Sequence, residues 1–154
     1  MADNNRQPTD PAWESKVRAS FARQTFMRFI GARIAALAPG RCAVEVPFRS
    51  DLCQEDGFIH GGIVTAIAAN AAGYAAFSLM PASSSVLGIE YKVNLDEPTP
   101  GERFVATGTV VKAGRTLSVV ESEVRAEADG KSSAVAHMLA TMMCSAKTEA
   151  GHGA

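Results

Sequence analysis

The stretch Phe58-Ile-His-Gly-Gly-Ile-Val-Thr-Ala-Ile-Ala-Ala-Asn-Ala-Ala-Gly-Tyr-Ala-Ala-Phe-Ser-Leu-Met80 holds no charged side chain and is dominated by Ala and Gly. Ala, Leu and Met favour helix. Two glycines after His60 suit a helix start whose backbone N–H groups stay open, and Pro81 stops it. Gly62, Ala66, Ala69, Gly73 and Ala76 recur at spacings of four and three, so they share one face of very small side chains. Such a face admits another backbone or a ligand at close range. Ile63, Ile67, Tyr74, Phe77 and Leu79 lie on the other faces and are expected to fill a core. A membrane span competes with this reading. His60, Thr65, Asn70 and Ser78, the weight of Ala, and the lack of closely flanking Lys or Arg all argue against it. A plain buried helix explains the small residues but has no need of His-Gly-Gly at its first turn.

The 154 residues suffice for one domain with a real core. A formal net charge of −1 argues against nucleic acid or an anionic membrane as the main partner. The 3 cysteines, Cys42, Cys53 and Cys144, are odd in number and scattered. That fits buried thiols in a reducing compartment better than a disulfide frame or a zinc site. His60, His137 and His152 offer no metal-ligand spacing, so neither metal nor cofactor is expected. The polar N-terminus lacks an apolar signal core, which makes the cytoplasm the expected location.

Residues 1–9 and the tail from Lys147 read as disordered. Asp10-Pro11 reads as N-cap and first residue of a helix carrying Trp13, Val17, Phe21 and Phe26 inward, with Glu14, Lys16, Arg18 and Arg23 outward. Two strands follow, Ala32–Leu37 and Arg41–Pro47, then an irregular polar segment from Arg49 to Gly57, then the long helix. Four strand candidates complete the chain: 85–95, 103–113, 116–128 and 132–146. Turns fall at 98–101, at Gly114-Arg115 and at Asp129-Gly130. On the first of these strands Val86, Lys92 and Asn94 are expected to oppose Leu87, Ile89, Tyr91 and Val93. The order is α+β: an antiparallel sheet curled around one long helix, with an extra N-terminal helix. Exposed edges on such a sheet favour pairing of subunits.

Gln54-x-x-x-Gly57-Phe58-Ile59-His60-Gly61-Gly62, followed by the small-residue helix, resembles the signature of hotdog-fold acyl-CoA thioesterases. The likeness is to the branch typified by phenylacetate-degradation and 4-hydroxybenzoyl-CoA thioesterases. The first helix, Tyr91-Lys92-Val93-Asn94, the turn at Gly101 and the Gly114-Arg115 hairpin extend it over nearly the whole chain. The resemblance implies a hotdog fold and hydrolysis of an acyl-CoA thioester. It implies that the Gly61 N–H polarises the thioester carbonyl, that Gln54 positions the acyl group or water, and that an Asp or Glu eight residues beyond Gly61 attacks or activates water. A helix N-terminus suits the first role, since free N–H donors and the positive dipole end meet a developing oxyanion. His60 is expected to steady the turn, having no carboxylate nearby in sequence to make it a base.

Eight helical residues rise about 12 Å, so Gly61 and position 69 of one chain cannot serve one carbonyl. A homodimer with composite sites follows, and the resemblance implies pairing into a homotetramer. Yet position 69 is Ala69, without the expected carboxylate. Asn70 is one step of ~100° around the axis, and a neutral amide takes no proton at pH 7. Gly88 likewise stands where relatives often have Ser or Thr. Ala69 is read in three ways: an engineered knock-out (the favoured one, since its surroundings keep the active pattern), a natural non-hydrolysing acyl-CoA binder or regulatory protein, or a centre using another acid such as Glu55 or Asp56. A hydratase or dehydratase is a further alternative. Lys112 and Arg115 beside Gly114, together with Arg103, are candidates for the phosphates of CoA, although a solvated hairpin tip explains the first two equally well. Phe58, Ile59, Tyr74 and the third strand are expected to line the acyl pocket, with Gly62, Asn70 and Gly88 near it.

Overall fold

The computed structural model describes residues 7–98 and 100–146. The tails expected at 1–6 and 147–154, His152 and position 99 of the 98–101 turn lie outside them. Of the remaining N-terminal residues, Thr9 is tied down by its hydroxyl, which donates to the Leu79 carbonyl at 3.0 Å.

Helix α3 (Gly61–Phe77) is the centre of the molecule. Strands β1 (Arg33–Ala38), β2 (Arg41–Pro47), β3 (Ser84–Leu95), β4 (Arg103–Ala113), β5 (Leu117–Ala128) and β6 (Lys131–Ala146) form a six-stranded sheet in the order β1-β2-β4-β5-β6-β3. Every neighbouring pair is antiparallel. The two-residue hairpin at Asp129-Gly130 carries positive φ at both positions, 50° and 72°, which matches the twist of the flanking strands.

α3 packs against β2, β4, β5, β6 and β3, so the sheet curls around it. Its buried positions are Val64, Ile67, Ala68, Ala71, Ala72, Tyr74, Ala75, Ala76 and Phe77. The larger side chains of this core come mostly from the sheet: Val44, Val46, Phe104, Val110, Val120 and Val124. Each such side chain contributes roughly 1.5–3 kcal/mol when fully buried. At Gly108 on β4 there is no room for even one methyl. A Cβ there would run into the Ala71 carbonyl and the Ala72 nitrogen, so strand and helix backbones touch. The small face behaves differently along its length. Ala66, Ala69 and Gly73 stay half-buried and Gly62 exposed, whereas Ala76 is buried. No helix among the described residues is long and apolar enough to cross a membrane.

Three local expectations need correction. The first helix starts at Trp13 and ends at Ala22; Asp10 caps a preceding turn instead, its Oδ1 accepting the Ala12 N–H at 2.9 Å. A second short helix, α2 (Thr25–Ile30), follows and buries Met27 and Ile30, leaving Phe26 exposed. Lys16 turns inward. Its Nζ donates to the Met80 carbonyl at 2.6 Å, pairs with Asp10 at 3.5 Å and lies 4.5 Å from the Phe77 ring centroid.

The third correction concerns the faces of β3. Its pairing with β6 skips one residue between Gly88 and Glu90, so Ile89 is a bulge. A bulge adds one residue and reverses the alternation beyond it. Val86 and Gly88 therefore share the helix-facing side with Tyr91 and Val93, opposite the buried Met142, Ala140 and Met138. Lys92 and Asn94 face the other side.

Candidate active site

The loop before α3 folds back on itself. The Gln54 N–H donates to the Phe58 carbonyl at 2.9 Å, Gly57 to the Gln54 carbonyl at 3.0 Å, and His60 to the Leu52 carbonyl at 2.9 Å. The Gln54 Oε1 also accepts the Asp56 N–H, leaving its NH₂ end as the available donor. His60 is the N-cap: its Nδ1 accepts the Gly62 N–H at 2.8 Å, and its carbonyl accepts from Ile63 and Val64 at 2.9 and 3.3 Å. The Gly61 N–H is then the first-turn amide with no acceptor among the described residues. It opens on a cavity of 190 Å³ lined by Gln54, Phe58, Ile59, Leu95 and Phe104. A Cβ on residue 61 would meet Leu95 Cδ1 at 2.7 Å, so any larger residue there would displace the end of the Leu95 side chain that lines the cavity.

Ala69, Asn70 and Gly88 border a different cleft, of 420 Å³, together with Gly73, Tyr74 and Met142. The Asn70 side chain is held within its own helix, Nδ2 donating to the Ala66 carbonyl at 3.1 Å. A Cβ on Gly88 would find Met142 Sδ at 3.8 Å, an ordinary contact, so space does not demand glycine there. Gly61 and Ala69 of one chain thus open on separate spaces. The expected acyl-pocket residues divide likewise: Phe58 and Ile59 lie at the first cavity, Tyr74 at the second.

The charged candidates are less well gathered. Glu55 and Asp56 are exposed and do not line the Gly61 cavity; Asp96 and Glu97, at the end of β3, do. Arg103 is committed to Glu127 at 2.6 Å and to the buried Glu45 at 3.4 Å, an arrangement that removes it as a free phosphate ligand. Hydrogen bonding to Glu127 raises its pKa further. Lys112 and Arg115 are exposed at the β4–β5 hairpin, away from both spaces. Gly114 shapes that hairpin, its N–H donating to the Leu117 carbonyl at 2.9 Å.

Two features escaped sequence reasoning. Ser20, Arg23 and Gln24 reach the 420 Å³ cleft from the N-terminal helices, with Gln24 Nε2 donating to the Tyr74 hydroxyl at 2.7 Å. On the sheet face turned away from α3, His137 Nδ1 lies 2.8 Å from Asp96 and Nε2 lies 3.2 Å from Glu123. The hydrogen bond to Asp96, more than that to Glu123, holds this imidazole above its ordinary pKa. Both features join residues far apart in sequence, so no local pattern signals them.

One small-residue helix inside one curled antiparallel sheet, with an uncovered amide at the helix start, is the hotdog architecture of thioester-cleaving enzymes. Residues 56–133 match the thioesterase superfamily, and the chain belongs to that family, as the sequence resemblance implied. A Saccharolobus solfataricus protein named as an esterase is 34% identical over 104 residues, covering 68% of this chain and 73% of its own. Human acyl-coenzyme A thioesterase 13 is 25% identical over 119 residues, covering 75% and 83%. The crystal structure of a thioesterase family protein from Silicibacter pomeroyi superposes with a TM-score of 0.86 at 47% identity, covering 88% of this chain and 99% of that one.

Proposed function

We propose that this chain is an acyl-CoA thioesterase whose reaction centre is assembled from two protomers. The observation that carries the reading is the uncovered Gly61 amide at the Gln54 cavity. One protomer lends that amide to polarise the thioester carbonyl, with Gln54 as positioner. Its mate lends position 69 and Gly88. Preorganised N–H donors of this kind stabilise an oxyanion without reorganising at the moment of reaction.

The edge of β3 supports the pairing. Leu87, Ile89 and Tyr91 are 49%, 52% and 51% exposed on a strand bonded on one side only. Half-exposed Leu117 and Leu139, on the outer sheet face, support a further pairing of dimers into a tetramer. Three free cysteines are in keeping with a cytoplasmic location.

With Ala69 and Gly88 in place, positions 69 and 88 supply neither the carboxylate nor the hydroxyl that would hold or activate water there. Losing a general base typically costs 10²–10⁴-fold, so turnover by the chain as it stands is expected to be weak. The same gap supports a second reading, a non-hydrolysing acyl-CoA binder. The hydratase alternative has less support: the Nδ1 of His60 is occupied by Gly62, and His137, which does hold carboxylates, sits on the far side of the sheet. Free CoA released from a panel of acyl-CoA thioesters, measured for this chain and for Ala69→Asp, tests the reading. Release restored by Ala69→Asp supports the hydrolase. Binding without release by either protein favours the binder.

A further inference from the structure

The 420 Å³ cleft carries three polar side chains from the N-terminal helices near Tyr74. Ser20, Arg23 and Gln24 border it there, and none of them lies within the family-matched residues 56–133. Gln24 Nε2 and Ser20 Oγ lie 2.7 and 3.4 Å from the hydroxyl of Tyr74, which locates this wall beside Tyr74. Tyr74 is five residues beyond Ala69 on α3, ~7.5 Å further along the axis.

Arg23 makes no ion pair among the described residues. One of its nitrogens, Nη1, donates to the Ala19 carbonyl at 3.1 Å, which leaves the other guanidinium donors for a ligand. Glu90 also borders the cleft, but its carboxylate accepts from Thr141 Oγ1 at 3.0 Å on the outer side of the sheet. Arg23 is exposed at the rim of the cleft, where its guanidinium gives a hydrocarbon tail no partner and a carboxylate a charge-assisted one.

Resting on the acyl-CoA reading above, we propose that this cleft selects acyl groups bearing a terminal carboxylate, with Arg23 as the residue that binds it. With the thioester carbon beside position 69 and the carboxylate beside Tyr74, the acyl group spans about six or seven carbons, given an advance of ~1.25 Å per bond in an extended chain and the ~7.5 Å helix rise. Gln24 holds Tyr74 in place as the floor of that end.

Affinity measured with non-hydrolysable thioether analogues of adipyl-CoA and hexanoyl-CoA tests this without relying on turnover. Calorimetry of the full chain is expected to give about tenfold tighter binding of the carboxylated analogue, the effect of one charge-assisted hydrogen-bonded pair. Arg23→Gln should shrink that ratio to about twofold or less, and Arg23→Lys should retain part of it, since it keeps the charge and loses the fork. Equal affinities in the parent chain, or a preference that survives Arg23→Gln, would overturn the proposal while leaving the acyl-CoA reading intact. Failure of both analogues to bind would remove the two together.

Discussion

The imidazole Nδ1 of His60 accepts the Gly62 N–H at 2.8 Å, so the neighbouring Gly61 N–H is left to face the cavity. That bond makes His60 a cap, and losing a side-chain N-cap costs about 0.5–2 kcal/mol. His60→Ala is expected to lower the urea midpoint accordingly, and His60→Asn to restore most of it. A variant Asn as unstable as the Ala would show that the ring does something other than capping.

Restoring the acid at position 69 is expected to change rate far more than stability. Ala69→Asp should raise CoA release about 10²–10⁴-fold over the parent. A rise below threefold on every thioester tried would mean that position 69 is not the acid position of this centre.

The same activity should depend on the β3 edge. Ile89→Lys places a charge on the half-exposed bulge of this edge strand, a substitution that opposes pairing along its open side. In the Ala69→Asp background it should shift sedimentation toward monomer and abolish CoA release together. Full activity in a monomer would end the composite-site reading.

Gly108 is the tightest point between sheet and helix. Gly108→Ala forces a methyl into the backbone of α3 at Ala71 and Ala72. A loss of about 1–3 kcal/mol, or failure to fold, is expected in equilibrium unfolding. Gly88→Ala, with its nearest neighbour at 3.8 Å, should cost far less.

His137 supplies a pH dependence. It faces Asp96 and Glu123, and Arg125 in turn pairs with Glu123 at 2.8 Å. The folded-state pKa is raised above the unfolded value, chiefly by Asp96. Its stabilising contribution is therefore complete below the unfolded histidine pKa and is lost as pH rises through the folded one. An NMR titration should place His137 above the ordinary histidine range, and Asp96→Asn should bring it down. A titration unchanged by Asp96→Asn would reject that pairing.

Much of the fold was legible because its signals are local. An uncharged Ala/Gly run that ends at Pro81 and carries His60, Thr65, Asn70 and Ser78 reads as a buried helix rather than a membrane span, and Asp129-Gly130 between alternating strands reads as a hairpin. The strand faces of β3 were not legible beyond Gly88. One bulged residue inverts every later side chain, and the hydrophobic alternation on either side of it is equally good. Lys16 was misread for a related reason. A charged residue on a surface helix reads as solvated, and only the fold brings Asp10 and the Met80 and Pro81 carbonyls around its ammonium group.

By itself, the sequence determined the central helix, its small-residue face, the glycine amide at its start and the absence of an acid eight residues on, because each depends on residue type and short-range spacing. Only the tertiary structure decided that Arg103 is spent on Glu127 and Glu45, and that Arg23 and Gln24 wall the cleft beside Tyr74. Those relations join side chains tens of residues apart, and they are set by how the sheet closes over α3 and how the N-terminal helices dock against it, which no local preference encodes.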